Sequence, residues 1–338
     1  MTAPAPAPRL RKAPAPHTVR WLLRLHRPAL YLWTGALVVV AAALLWLWGP
    51  LTDAAAEAWR QYNACIESQK ACRYDQAAII RFKDVYQYTT MFVLAVPFLV
   101  AAWAGAALTG RELETGTAQL AWTQAVSPTR WLAAKLAVPA TLITGGTGLL
   151  VLLHHLAWSA GDGPIDHAKT WYDSATFYAN GPITVALALA GLAAGALAGV
   201  LLRRSLAALV TAVIAVAGLW TALAVALPHL WPAATTVSSL QYDPSGEGID
   251  VGTGLITSSG ARIADPQCGS SIIPECRDTY ARLDAVSYYH DYHPRSHFWP
   301  LQLTATGLLL AVAALLAVTA FALLRRRTGV PAPRRAAA

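Results

Sequence analysis

Long apolar runs alternate with polar segments along this chain. Each run holds about 20 residues rich in Ala, Leu and Val, which is the length that an α-helix needs to cross a bilayer core about 30 Å thick. The runs are continuous and do not alternate apolar with polar positions, so they predict helices and exclude a strand barrel. The six predicted spans are approximately Ala29–Trp48, Met91–Thr109, Leu132–Ala157, Ile183–Leu202, Leu206–Leu227 and Pro300–Leu324.

Composition supports this prediction. Of the 338 residues, 56% are hydrophobic and only 13% are charged, and the mean hydropathy is +0.42. A soluble chain of this length carries about twice that share of charge. The predicted fold class is therefore all-α: a polytopic membrane protein with six transmembrane helices.

The charged residues predict the orientation of the bundle. Sixteen of the 26 Lys and Arg residues lie in the two terminal tails, in the segment after the second span together with the start of the third, and in the turn after the fourth. The same segments hold only Glu112 and Glu114 among the 18 acidic residues. By the positive-inside rule both termini are cytoplasmic. These basic residues flank spans, where they suit anionic lipid headgroups, and no basic patch interleaved with aromatic residues predicts nucleic-acid binding.

The chain divides at the outer limits of the spans. Residues 1–28 form a basic Ala-Pro tail followed by a predicted interfacial helix, in which Arg20, Arg24 and Arg27 recur at helical spacing. The apolar run that follows is too long for a signal-peptide core, so we expect it to be retained as a span. Residues 29–325 are the predicted membrane domain, with a cytoplasmic loop at 110–131 and an external loop at 228–298, and residues 326–338 are a cytoplasmic tail.

All four cysteines fall in segments predicted to be external. An oxidising exterior and short separations favour two local disulfides, Cys65 with Cys72 and Cys268 with Cys276, although four cysteines allow three pairings.

Glycines at four-residue intervals mark the fourth span. Gly191, Gly195 and Gly199 form a doubled GxxxG pattern, which lets another helix approach closely, either a neighbouring span or a second copy of the chain. His154 and His155 lie at the outer end of the third span. We interpret them as interfacial imidazoles, because the span holds no carboxylate to pair with them.

Several kinds of chemistry are missing from the sequence. The span interiors hold no Asp, Glu or Arg, and Lys135 lies at the end of its span, so a transporter driven by protons or sodium is disfavoured. There is no GxxxxGK[ST] motif to cradle ATP, and the sequence predicts no cofactor. The residues His290, Asp291, His293 and His297 have ligand-like spacing, and we favour a hydrogen-bonded loop over a metal site there.

The polar segment after the second span has a readable local structure. Gly116 can end the helix, Thr117 can cap a short helix that ends near Gln124, and Ser127 with Pro128 suits the start of the third span. Leu120 and Trp122 give that short helix an apolar surface.

The two carboxylates of this segment predict a partner. We expect Glu112 and Glu114 to face a cytoplasmic protein that offers Arg or Lys. The alternative is an amphipathic loop lying on lipid, which is less favourable because acidic side chains would face an anionic leaflet.

The same segment, GRELETGTAQLAWTQAVSPTRWLAAK from Gly110 to Lys135, resembles the permeases of ABC-2 type exporters. The matching positions are Arg111, Glu112, Glu114, Gly116, Thr117, Leu120, Trp122, Thr123, Gln124, Val126, Ser127, Arg130, Trp131 and Lys135. Weaker likenesses lie at Arg24, His26 and Arg27 and at Phe298, Trp299, Pro300 and Gln302. Relatives tend to carry Arg and Glu where this chain has His297 and Ala305.

The resemblance implies a six-span subunit that pairs with a second permease copy and with two ATP-binding cassette subunits, whose ATP hydrolysis drives export. It also implies that the ATPase couples to the loop through Arg111, Glu112, Glu114, Gly116, Thr117, Leu120, Ser127 and Arg130. Two rival functions stay open: a membrane-anchored sensing protein whose external loops capture a ligand, and a membrane enzyme that uses the His290 cluster. A lipophilic or amphipathic cargo suits the uncharged spans.

Overall fold

The computed structural model of the protein describes residues 20, 22–68, 73–124, 126–165, 168–241, 247–268 and 270–329. Within these residues, six helices are long and apolar enough to cross a membrane, which confirms the all-α, six-span prediction. In chain order, spans 1 to 6 are Arg27–Ser68, Gln76–Glu114, Pro128–Gly161, Ile183–Leu202, Ser205–His229 and Arg295–Thr328.

Spans 1 and 2 are much longer than the apolar runs that predicted them. Span 1 joins an α-helix at Arg27–Trp46 through a π-helical segment, Leu47–Leu51, to a second α-helix at Thr52–Ser68. Span 2 runs as an α-helix over Gln76–Trp103. Hydropathy marks only the apolar part of each helix, whereas the polar extensions are helical because buried Ala55, Ala58 and Phe82 pack them together at one end of the bundle.

Span 4 forms the centre of the bundle. Most of its side chains are buried, and it packs against spans 2, 3, 5 and 6. Its three spaced glycines touch the backbone of span 2: a Cβ at Gly195 would lie 2.7 Å from the carbonyl oxygen of Ala101, and one at Gly191 would lie 2.8 Å from that of Pro97. The GxxxG pattern therefore serves contact within the chain.

Span 2 ends in an irregular segment. A π-helical stretch, Ala104–Gly110, connects its long α-helix to one last α-helical turn, Arg111–Glu114. The stretch packs against both spans 4 and 5, and a Cβ at Gly105 would lie 2.6 Å from the carbonyl oxygen of Ala208. Backbone approach this close is available only to glycine.

A small sheet covers the end of the bundle opposite to the last turn of span 2. The sequence pattern did not predict this sheet. Within the segment predicted as an external loop, β1 (Ala234–Ser239), β2 (Ile249–Thr257), β3 (Arg262–Ala264) and β4 (Ala285–His293) form an antiparallel sheet in the order β1-β4-β2-β3. A helix at Pro274–Arg282 packs Tyr280 on this sheet, where its hydroxyl group bonds to that of Tyr288. We call this the sheet end.

A disulfide joins Cys268 to Cys276 across 5.4 Å between Cα atoms, as predicted, and fastens the helix beside the sheet. Cys72 lies outside the described residues, so its pairing with Cys65 stays a prediction. Further short helices lie at Ser174–Ala179, Leu227–His229 and Arg295–His297. The second forms the end of span 5, and the third forms the start of span 6.

The other end of the bundle gathers the polar loop 111–131, the turn after span 4 and the end of span 6. Arg327 donates from Nη1 to the carbonyl oxygen of Val200, at 2.6 Å, and thereby ties the last span to that turn. We call this the basic end. Its cytoplasmic placement rests on the positive-inside rule and stays a prediction.

Candidate functional site: the polar loop at the basic end

The loop between spans 2 and 3 folds much as its sequence predicts. Gly116 has a φ of +75°, a left-handed conformation that glycine adopts without strain, and it ends the helical turn Arg111–Glu114. A short helix then runs over Thr117–Gln124. Ser127 caps span 3, since its Oγ accepts a hydrogen bond from the Arg130 amide at 3.4 Å and Pro128 occupies the first helical position.

Glu112 is turned into the bundle, which corrects the expectation that it faces a partner. One of its carboxylate oxygens lies 2.7 Å from the Lys135 ammonium, and the other accepts a hydrogen bond from Trp131 Nε1 at 3.1 Å. Lys135 also donates to the carbonyl oxygen of Leu108 at 2.7 Å. The Lys135 side chain is fully buried and that of Glu112 is 14% exposed.

Burial explains why these groups meet. A buried ammonium is costly unless a carboxylate and further hydrogen bonds compensate it, and Lys135 projects from span 3 with no solvent within reach. The last turn of span 2 supplies the compensation, because Leu113 in that turn packs on Trp131 and Leu132 of span 3. Glu112 thus joins spans 2 and 3 at the basic end.

Glu114 binds the start of span 5. Its carboxylate accepts hydrogen bonds from the backbone amide of Ser205, at 2.9 Å, and from the Ser205 hydroxyl, at 2.6 Å. An anionic group at a helix N-terminus satisfies free amides and interacts favourably with the helix dipole. Unlike Glu112, Glu114 lies on the exposed surface, so a protein that docks here can reach it.

The short helix presents one side outward. Ala118 is buried, and Trp122 packs edge-on against Trp131 with 5.6 Å between ring centroids. Leu120 points away from the bundle and is 60% exposed. The side chains of Arg111 and Arg130 are also exposed at this surface. The outer side of the loop therefore exposes one large apolar side chain as well as charged ones.

The eight residues predicted to couple to a partner therefore divide by role. Arg111, Glu114, Leu120 and Arg130 lie on the outer surface of the loop, whereas Glu112 binds inside it. Gly116 and Ser127 shape the chain, and the Thr117 hydroxyl donates to the carbonyl oxygen of Glu112 at 3.3 Å.

Sequence reasoning missed two partners in this site. Lys135 carried a usable signal, because it is the one charged side chain that intrudes into the apolar run of span 3, and such a group needs a counter-charge. Ser205 carried none, since a serine at the start of a helix is common and nothing in its sequence indicates a glutamate 91 residues away.

The histidines near the sheet end do not converge on a metal site. His290 pairs with Asp250 at 2.8 Å, Asp291 pairs with Arg262 at 2.8 Å, and His293 contacts His297 at 3.1 Å. Neighbouring positions of β4 point to opposite sheet faces, which separates His290 from Asp291. Among the described residues no group of three or more such side chains can hold a metal ion.

His154 is buried within the bundle, which corrects its interpretation as an interfacial imidazole. Its Nδ1 lies 2.5 Å from Asn180 Oδ1 and its Nε2 lies 2.8 Å from the Thr90 hydroxyl. Gln302, part of the weaker likeness at span 6, donates to the carbonyl oxygen of Phe177 at 2.6 Å and lies against Gly181. These polar contacts fasten spans 2, 3 and 6 to the segment that precedes span 4.

A family model described as "ABC-2 membrane transporter related" matches residues 34–227. The match covers more than half of the chain and includes the polar loop. The chain belongs to this ABC-2-related family. Comparisons with curated proteins and with solved structures found no match. The family assignment makes this protein a permease component of membrane transport, a component that is not itself catalytic. The matched residues of the permease end before the sheet and span 6.

Proposed function

We propose that this chain is the membrane-spanning permease subunit of an ATP-binding cassette exporter in a bacterial plasma membrane. It moves a lipophilic or amphipathic substrate outward, using ATP hydrolysed by a separate subunit, and it works with a second permease copy, identical or related. The polar loop 111–131 is where the ATPase subunit docks.

The fastening of the loop carries this proposal. Glu112 holds the last turn of span 2 to Lys135 in span 3, and Glu114 holds the same turn to Ser205 at the start of span 5. The two carboxylates are two residues apart on one short helical turn. A displacement of the loop by a docked ATPase would therefore move spans 2, 3 and 5 together. Coupling of ATP hydrolysis to transport requires such a connection between the docking surface and the spans.

The outer surface of the loop supports a protein partner. Leu120 offers an apolar side chain to a partner, and the exposed charged side chains of Arg111, Glu114 and Arg130 belong to the same loop. Protein interfaces combine apolar anchors with a polar rim, and this loop exposes both kinds of side chain.

The apolar runs of the spans support the proposed cargo class. These runs within the spans present hydrophobic surface, and the buried Lys135 at the end of one such run is paired with Glu112. A cargo that shares the polarity of lipid suits such spans best.

Co-purification with the ATPase subunit tests the docking. The Leu120→Asp permease should retain about 30-fold less ATPase than the wild type, as expected for the loss of about 2 kcal/mol at an interface anchor. Val237→Asp is the matched control, because Val237 is also 60% exposed but lies on β1 at the sheet end. Equal retention by both variants, with both inserted normally, would overturn the proposal.

The sheet end favours a second candidate function. A disulfide-fastened sheet beside the spans suits a membrane-anchored protein that binds or senses an external ligand. A signalling subunit in place of an ATPase in the purified complex would favour this function.

A further inference from the structure

An apolar groove opens between spans 1, 2 and 3 close to the basic end. It has a volume of about 430 Å³, within the range of small-molecule sites. Its lining comes from four parts of the chain: residues 22–26 before span 1, the start of span 1, the middle of span 2 and the start of span 3. Among the lining side chains are Leu23, Trp33, Leu99, Trp103, Pro139 and Leu142.

The mouth of the groove opens on the outer surface of the bundle. Leu32 and Leu99 line it and leave most of their side-chain surface exposed. Deeper along the spans, Trp33 and Leu37 pack directly on Gly146, where a Cβ would lie 2.7 Å from the indole of Trp33, so spans 1 and 3 touch there. The opening is therefore a local separation of the two helices.

A basic hollow of about 570 Å³ continues the groove towards the basic end. Leu23 and Leu30 line both spaces, and the hollow adds the side chains of Arg20, Arg24 and Arg27. Within the described part of the chain, none of these three arginines has a carboxylate within ion-pair distance. Three uncompensated guanidinium groups attract a phosphate, which arginine binds with paired hydrogen bonds.

His26 lies where the apolar and basic parts meet. Its ring packs edge-on against Trp103 with 5.5 Å between centroids, and its Nε2 is buried without a hydrogen-bond partner among the described residues. Burial and the nearby Lys135 ammonium lower the pKa of His26. A buried polar atom without a partner is costly, and a polar ligand group at this position would satisfy it.

We propose that the groove binds one acyl chain of an anionic phospholipid, whose phosphate contacts Arg20, Arg24 and Arg27. The apolar groove, the polar atom at the junction and the basic hollow follow the order of tail, ester region and headgroup in such a lipid. This site is independent of the ATPase partner. A lipid in the groove contacts span 3 at Val138 and Pro139, one helical turn after Lys135. The bound lipid would therefore hold spans 1 and 3 apart close to the ion pair between Lys135 and Glu112.

Native mass spectrometry of the full chain tests the site. Protein released from detergent with added phosphatidylglycerol should keep one tightly bound lipid, and phosphatidylcholine should not replace it. The Arg24→Gln/Arg27→Gln variant should bind phosphatidylglycerol about 30-fold more weakly, at about a factor of five for each arginine. The matched control is Arg325→Gln/Arg326→Gln, which removes two arginines from the same end of the bundle but not from the hollow.

A second variant separates the groove from surface charge. Ala36→Phe fills the groove and keeps all arginines, so it should also lose the lipid. Equal binding by wild type, Arg24→Gln/Arg27→Gln and Ala36→Phe would overturn the proposal, as would equal losses in both arginine pairs. Lipid binding that appears only after deletion of residues 1–19 would assign the groove to the chain's own tail and would also overturn it.

Discussion

The ammonium of Lys135 lies 2.7 Å from the carboxylate of Glu112, and this pair closes the basic end of the bundle between spans 2 and 3. Trp131 adds a second hydrogen bond to the same carboxylate, and its ring also faces the ammonium at 5.2 Å. The contact lies under the loop that we propose as the docking surface. Substitution of this ion pair therefore affects both the stability of the fold and the proposed coupling, and each effect needs its own measurement.

We expect Lys135→Met alone to lower the free energy of unfolding by about 3–5 kcal/mol, because it leaves a mostly buried carboxylate without its counter-charge. Lys135→Met with Glu112→Met should recover most of this loss, since no charge then remains unpaired. Thermal unfolding in detergent measures both. The pairing would be contradicted if the double variant lost as much free energy of unfolding as the two single variants together.

Substitution of Gly195 should disrupt the contact between spans 2 and 4. A side chain at this position meets Ala101 O at 2.7 Å, so Gly195→Leu should cost about 1–3 kcal/mol or more and lower the yield of folded protein. Gly148→Leu is the control, because a Cβ at Gly148 meets no atom of the described residues within 4 Å. Gel filtration of the two variants, expressed in parallel, gives the comparison, and equal yields would count against the packing described.

Loss of the Cys268–Cys276 disulfide should loosen the sheet end and leave the spans folded. Serine at both positions removes a short closed loop, which is worth about 2 kcal/mol to the local structure. Limited proteolysis should then cut faster between β3 and β4, while the thermal transition of the membrane domain stays unchanged. A shift of that main transition would show instead that the sheet and the spans unfold together.

The helix Ser174–Ala179 should be sensitive to acid through its cap. Burial raises the pKa of Asp173, but hydrogen bonds from the Thr176 amide at 3.1 Å and from Lys169 outweigh this and set the pKa below its usual value. A lowered pKa in the folded state stabilises the helix above the unfolded pKa, near 4. This stability is lost as the pH falls through the lower folded value.

Hydrogen exchange of residues 174–179 between pH 2 and pH 6 measures this dependence. After correction for the intrinsic exchange rate, opening of the helix should increase towards the acid end in the wild type. Asp173→Asn should remove that dependence. The same pH profile in both proteins would mean that another group controls the helix.

The spans could be predicted from the sequence because bilayer thickness imposes a length that hydropathy reads directly. The extension of span 2 back to Gln76 was not predicted, because residues 76–90 include charged and polar side chains that hydropathy does not mark, although Asp75 caps the helix and the extension packs on span 1. The sheet escaped prediction for a related reason. Strand β2 holds Gly252 and Gly254, residues that weaken strands, and it pairs with β4 through residues 28 to 44 positions apart in the sequence.

Local features of the candidate site followed from the sequence, whereas its long-range contacts did not. The turn at Gly116 and the cap at Ser127 depend on neighbours within three residues, so propensity rules reach them. The orientation of Glu112 depends on a lysine 23 positions later, and that of Glu114 on a serine in another hairpin. Charges at the edge of a membrane domain look the same in a sequence whether they face inward or outward.

The π-helical stretch Ala104–Gly110 determines how the last turn of span 2, Arg111–Glu114, is rotated about the helix axis. Each residue turns an α-helix by about 100°, so one residue more or less between Trp103 and Arg111 redirects the last turn of span 2 by that angle. In its present phase that turn aims one carboxylate at span 3 and the other at span 5. If the stretch were a regular α-helix, both carboxylates would rotate away from their partners together. The π-helical stretch therefore determines whether Glu112 reaches Lys135 and Glu114 reaches Ser205.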